Sequence, residues 1–274
     1  RDLFMKSASP SKGGKTRLSP PSWEAMLTLA MYSFMYIPII ILGVYSFNES
    51  RFGSIWEGFS LTWYRKLLGD ERLFLALGDS LKIALCAVGV SAVLGTLMAI
   101  GLSKYRFPGK SLYLGISYLP LIIPDIAIAV ATLVFLASVA IPLSLWTAIA
   151  AHMVFCLAYI AIVVSSRLKG LDPNLEEAAL DLGATPTQAL VKVFIPQLSP
   201  AIVSGCLLAF VLSMDDLLIS SFTAGDATPL PIEIFSRVRT GIKPDINALS
   251  VLLILASGLI AGISEYFRCK SERI

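Results

Sequence analysis

Long apolar runs alternate with short polar connections along this chain. Six of the runs, 25–47, 78–103, 112–137, 143–166, 201–222 and 247–267, reach the roughly 20 residues a helix needs to cross a bilayer. A segment in lipid must satisfy its own backbone N–H and C=O groups, so each run is expected to be a helix. The pattern predicts an all-α membrane protein with six transmembrane helices in a domain over 25–267. Between the fourth and fifth runs lies a polar island, 171–200, read as two short helices with a sharp corner. Asp172 is placed to cap the first, Pro173 to occupy its first position and Gly183 to end it in a left-handed conformation. Thr185, Pro186 and Gln188 have the spacing of a second start, a capping box with proline at the first helical position. Pro196 and Pro200 are expected to stop that second helix.

The flanks and connections are polar for different reasons. Residues 1–24 mix Arg1, Lys6, Lys12, Lys15 and Arg17 with Ser, Pro and Gly, the composition of a disordered basic arm; 268–274 form a short tail. Segment 48–77 carries Trp56, Trp63 and Tyr64, aromatics suited to a membrane interface. Segment 223–246, with Pro229, Pro231 and Pro244, is too broken to span and is expected to be a surface or re-entrant feature. Position 1 is Arg rather than Met, which leaves the natural start open. The first run spans fully, so a cleaved signal peptide is not expected.

Composition sharpens the class. The 274 residues are 56% hydrophobic and 15% charged, with mean hydropathy +0.76, whereas soluble domains carry about a quarter charged residues. With the N-terminus inside, the cytoplasmic segments hold five basic residues in the arm, three in 104–110, three in 167–192 and three in 268–273, while the short connection 138–142 holds none. Lys and Arg gather on the cytoplasmic side. Both termini and the polar island are therefore expected there.

Few groups inside the runs carry chemistry. An aspartate at the bilayer centre costs about 2.5–3.5 kcal/mol, so each calls for a reason. Asp125, in YLPLIIPDIAIAV, is expected near the midplane, beside Pro120 and Pro124. Tyr118, seven residues earlier, shares its face on a continuous helix and offers a hydroxyl and a ring face to a cation. Asp215 and Asp216, in SMDDLLISSF, form a second acidic centre in the fifth run. Adjacent helical residues point about 100° apart. The Asp216 face carries Ser213 and Ser220, and the Asp215 face carries Val211, Leu212 and Ile219. That favours Asp216 for a polar route and leaves Asp215 to face a neighbouring subunit or fix the helix. Structural or protonated carboxyls, and simple packing of Tyr118, are the alternatives. No matching basic residue lies near these depths within the runs; Lys82, at the outer end of the second, is expected close to the headgroups, where it can snorkel, so the carboxylates favour a cationic solute.

Other patterns exclude more than they assign. Cys86, Cys156, Cys206 and Cys269 are too widely spaced for a zinc site or a disulfide framework. His152 is expected to be a packed, hydrogen-bonded histidine rather than a ligand. One histidine, with no G-x-S-x-G or H-E-x-x-H, argues against an intramembrane hydrolase. Ser9 replaces the first glycine that Gly14-Lys15-Thr16 would need in a phosphate loop. The small residues of 87–101 suit close helix packing.

Glu177-Ala178-Ala179, three residues, Gly183, nine residues, then Val193-Phe194-Ile195-Pro196 resembles the EAA loop of ABC-importer permeases, where the last element reads I-x-L-P; Val193 and Ile195 depart from it conservatively. Segment 50–68, Pro124-Asp125-Ile126, Ser166-Arg167-Leu168-Lys169-Gly170, Leu212-Ser213-Met214-Asp215-Asp216 and Asn247-Ala248-Leu249 extend the likeness. Together they resemble permeases of polyamine (spermidine/putrescine) ABC importers over nearly the whole chain beyond the arm. The resemblance implies a type I importer permease fold in a bacterial inner membrane. It implies a second permease subunit, two ATP-binding cassette subunits and a periplasmic polyamine-binding protein, with no nucleic acid. ATP and Mg would be bound on the ATPase subunits; this chain would hold no cofactor or metal and be no enzyme. Glu177, Ala178, Ala179, Gly183 and Pro196 would couple to the ATPase, and Asp125, Asp215, Asp216 and Tyr118 would line the path. A cation-coupled secondary transporter and a non-transport structural membrane protein remain as alternatives, the first leaving the EAA loop without a task.

Overall fold

The computed structural model describes residues 23–50, 55–172, 174–241 and 244–271, with side chains to 259; residues 1–22 of the basic arm and Pro173 lie outside them, while Trp23 and Glu24, at the end of the arm, already belong to the first helix. The chain divides into two compact units, 1–44 and 45–274. The first contributes α1 (Trp23–Tyr45), an apolar helix whose large side chains, Phe34 among them, are exposed.

The second unit begins with α2 (Thr62–Leu68) and the 34-residue α3 (Glu71–Lys104). Asp70 caps α3 by accepting the Leu73 N–H at 3.2 Å. At 1.5 Å per residue α3 is about 50 Å long, so it extends beyond the expected run at its N-terminal end. The third run is not one helix. α4 (Lys110–Tyr118) leads through a 3₁₀ turn (Leu119–Leu121) to α5 (Asp125–Ser138), and the pair is bent by 105°. Pro120 and Pro124 each remove a donor, and the residue before a proline is pushed out of the helical region.

α6 (Leu145–Lys169) is the spine of this unit. Ala148, Ala151, His152, Cys156, Ile160 and Val164 are buried along it where it packs on α3 and on the fifth span. Glycines set how close the helices come. A Cβ on Gly95 would lie 3.0 Å from the Leu157 carbonyl oxygen, and one on Gly205 would lie 3.3 Å from Ile160 Cα. Small residues at such crossings let backbones approach and gain dispersion contact.

Next come α7 (Leu175–Asp181), α8 (Pro186–Ala189), a π-helical turn (Leu190–Phe194) and α9 (Ile195–Asp215). Contrary to expectation, Pro196 and Pro200 do not stop a helix, for Pro186–Asp215 is one helical run of 30 residues. Pro196 sits in the first turn of α9, where the π turn has already changed the ladder. Pro200 deprives the Pro196 carbonyl of its N–H, and the Ser199 hydroxyl donates to that carbonyl instead, at 2.8 Å.

α10 (Leu218–Thr223), α11 (Leu230–Arg239) and α12 (Pro244–Ser271) complete the chain. A second cluster gathers Trp63, Leu67, Leu73, Leu230, Ala248 and Leu249. Trp63 is therefore a core residue rather than an interfacial one, its Nε1–H donating to the Asn48 carbonyl at 2.8 Å. Arg237 binds Asp70 and Glu233, each at 2.8 Å, and lies 3.8 Å from Asp245, tying α11 to the starts of α3 and α12. Among the described residues, four helices are long and apolar enough to cross a membrane, five if the bent α4–α5 pair counts as one.

Candidate functional site

The fifth run breaks where the two aspartates stand, with no glycine or proline to break it. α9 ends at Asp215, and Asp216 takes φ −71°, ψ 113°, outside the helical region. Its carboxylate starts α10: Oδ1 accepts the Ile219 N–H at 3.2 Å and Oδ2 the Ser220 N–H at 2.8 Å. From α6, the fully buried His152 meets the same place. Its Nδ1 lies 2.8 Å from Ser213 Oγ, and its Nε2 lies 3.1 Å from Ser220 Oγ and 3.3 Å from Asp216 Oδ2. Ser213 and Ser220 do accompany Asp216, but that face turns onto α6. Asp215 is exposed, next to the last carbonyls of α9, which have no helical donors beyond the break.

Asp125 is the first residue of α5 and exposed, a position where a helix N-terminus favours negative charge. Tyr118 ends α4, and its hydroxyl donates to Ser165 Oγ of α6 at 3.3 Å. The 105° bend between them removes the shared face that a continuous helix would provide. α5 packs on α10, so the two acidic centres lie on elements in contact. Among the described residues no ion pair engages Asp125 or Asp215, while Lys82 is paired with Asp79 at 3.0 Å.

The polar island folds largely as its caps dictate, except at its start. Asp172 accepts the Asn174 N–H at 2.9 Å, but it does not cap α7: that helix begins later than expected, at Leu175, with Asn174 at the N-cap and no side-chain cap bond, because the Asp172 carboxylate is used two residues on, in a turn ahead of the helix. Gly183 adopts φ +82°, with Gly183 N–H bonded to the Leu180 carbonyl at 2.8 Å and Ala184 N–H to the Ala179 carbonyl at 3.1 Å, a Schellman termination. Thr185 and Gln188 cap each other reciprocally at 3.0 and 3.3 Å. Of the Glu-Ala-Ala triplet, Glu177 and Ala178 face out and Ala179 is buried; Pro196 is exposed. Leu182, at the corner, is 90% exposed. Nothing in the apolar pattern distinguishes it from a core leucine, nor does any spacing in the sequence pair His152 with Asp216.

Residues 91–267 match the family described as binding-protein-dependent transport system inner membrane component. The chain is 41% identical over 262 residues to the putrescine transport system permease protein PotI of Escherichia coli, covering 92% of each. It is also 41% identical over 243 residues to the spermidine/putrescine transport system permease protein PotC of Haemophilus influenzae, covering 88% of this chain and 95% of that one. Among solved structures, it superposes with TM-score 0.72 at 16% identity on a bacterial ABC transporter that imports alginate, covering 89% and 94% of the two chains. The MetNI methionine ABC transporter gives TM-score 0.55 at 21% identity, covering 72% and 97%. These two likenesses establish a shared fold.

Proposed function

The chain belongs to the family of inner membrane components of binding-protein-dependent transport systems, and we propose from that premise that it is the permease subunit of an ATP-driven polyamine importer. The observation that carries the substrate is 41% identity across 92% of a putrescine permease. Asp125 and Asp215, exposed and without an ion pair among the described residues, support it, since a carboxylate in an apolar span is best compensated by a cation.

In this reading the chain crosses the inner membrane six times, through α1, α3, the bent α4–α5 pair, α6, α9 with α10, and α12. The Lys and Arg distribution puts both termini in the cytoplasm. A second permease subunit completes the path, a periplasmic polyamine-binding protein delivers the solute, and two ATPase subunits bind ATP and Mg and hydrolyse the nucleotide. The 171–200 loop docks on one ATPase through Glu177, Ala178 and the Gly183 corner; Ala179 and Pro196 shape it. Asp125 and Asp215 line the route, Tyr118 flanks it from the end of α4, held to Ser165 of α6, and Asp216 supports it as a helix cap, so the preference between the adjacent acids moves to Asp215.

The test is uptake of labelled putrescine and spermidine by cells carrying the complete transporter, with wild type and an Asp125→Asn, Asp215→Asn double variant at equal membrane level. A charge-assisted contact is worth about 1.5–3 kcal/mol, so loss of two lowers uptake at sub-saturating solute by roughly a hundredfold or more while the complex persists. Unchanged uptake would remove the acidic path from this reading. Deleting 177–196 should abolish ATPase co-purification, and retained association would sink the docking assignment.

A further inference from the structure

One ammonium group joins the polar loop to the longest span. Lys104, the last residue of α3, places Nζ 2.7 Å from Glu176 Oε2 on α7. The same nitrogen lies 4.0 Å from the centroid of the Phe194 ring, and Phe194 closes the π turn that leads into α9. The contact is partly shielded, with the Lys104 side chain 21% and the Glu176 side chain 36% exposed and Phe194 buried. Shielding strengthens an ion pair relative to one in open water, and a cation over a ring adds a further attraction. Glu176 and Glu177 divide the work: Glu177 is exposed toward any partner, whereas Glu176 reaches back into the chain. The π turn is a rare geometry, frequent at functional places in helices. Lys104 therefore grips both helices of the loop, the second at its irregular turn.

We propose that Lys104 is a positioning residue that makes α3 move with the 171–200 loop, so that a displacement of the loop reaches the translocation spans through the Glu176–Lys104–Phe194 contact as well as through α9. This rests on the reading that the loop docks on an ATPase. α3 is packed against α6 through Gly95, and α6 carries His152, which braces the break beside Asp215. The contact thus stands at one end of a continuous run of packed elements between loop and acidic centre.

The experiment uses the complete transporter in proteoliposomes and reads labelled putrescine moved per ATP hydrolysed, with ATPase co-purification as the control for docking. Lys104→Met should lower that ratio about tenfold, within the range of known coupling energies, while co-purification stays within about twofold. Glu176→Gln should lower it less, because the ring contact remains. The Lys104→Met, Glu176→Gln double variant should be no worse than Lys104→Met, since both remove one contact, and Lys104→Arg should restore most of the ratio. A wild-type ratio in Lys104→Met, or additive losses in the double variant, would overturn the proposal. If Lys104→Met fails to assemble, Glu176→Gln decides alone: an assembled complex with an unchanged ratio overturns it. If the ATPase does not co-purify even with the wild-type chain, the docking reading itself fails, an outcome distinct from a change confined to the ratio.

Discussion

Asp215 and Asp216 are neighbours with the same chemistry and opposite situations. Both oxygens of Asp216 accept backbone N–H bonds, and His152 faces one of them; Asp215 is exposed with no ion pair among the described residues. Removing Asp216 deletes a helix cap worth about 1 kcal/mol and leaves buried His152 short of a partner, at about 1–3 kcal/mol. Asp216→Ala should therefore lower the Tm of the detergent-purified protein by several degrees, whereas Asp215→Ala should leave Tm nearly unchanged and lower putrescine uptake. Scanning fluorimetry and uptake on the same two variants check this. His152→Ala should also lower Tm, by its cavity as well as its lost bonds, and the two losses should be less than additive, because Asp216 and His152 share one contact.

At the scale of the element, backbone geometry decides what the coupling loop presents. Gly183 is at φ +82° with no atom within 4 Å of an added Cβ, so a side chain there costs conformation and not space. Gly183→Ala should cost about 1–2 kcal/mol and weaken ATPase co-purification by roughly tenfold. Gly183→Asn should lose less, since asparagine tolerates the left-handed region; equal losses would mean the corner is not under conformational control. Gly95 is the opposite case, set by space. A Cβ 3.0 Å from the Leu157 carbonyl forces α3 from α6, and overpacking costs about 1–3 kcal/mol. Gly95→Val should lower Tm accordingly, whereas Gly89→Val, where nothing lies within 4 Å, should not.

Across the whole molecule, the layer outside the apolar spans is held by charge. The Arg237 side-chain hydrogen bond holds the Asp70 carboxyl below the usual carboxylate range, against the opposing effect of burial. A pKa lowered by folding contributes stability that is present above the unfolded value of about 3.9 and is lost as pH falls through the lower folded value. With Asp70 a quarter exposed, the contribution is about 1 kcal/mol or less. Arg237→Gln should lower Tm by about 2–4 °C at pH 7, and the gap from wild type should narrow as pH falls below about 4. A gap that persists unchanged at low pH would mean that the guanidinium works by packing alone.

Much of this protein is determined locally, and those parts are legible in its sequence. Apolar runs of spanning length, the Gly183 termination and the Thr185 capping box depend on residues within a few positions of one another, so composition and spacing suffice to read them. The family follows from the same kind of evidence, the EAA spacing. Tertiary structure decides what depends on neighbours distant in the chain. Pro120 and Pro124 mark a weak point in the third run, yet the 105° bend there is set by what α4 and α5 pack against. Pro196 and Pro200 signal a stop that a π turn and the Ser199 hydroxyl cancel. No breaker announces the gap after Asp215, because a carboxylate cap and a histidine from α6 hold it open. Which of two adjacent aspartates is free, and which lysine ties the loop to α3, are likewise settled by side chains that meet only once the helices have packed, since an ion pair or a buried hydrogen bond has no meaning until its partner arrives.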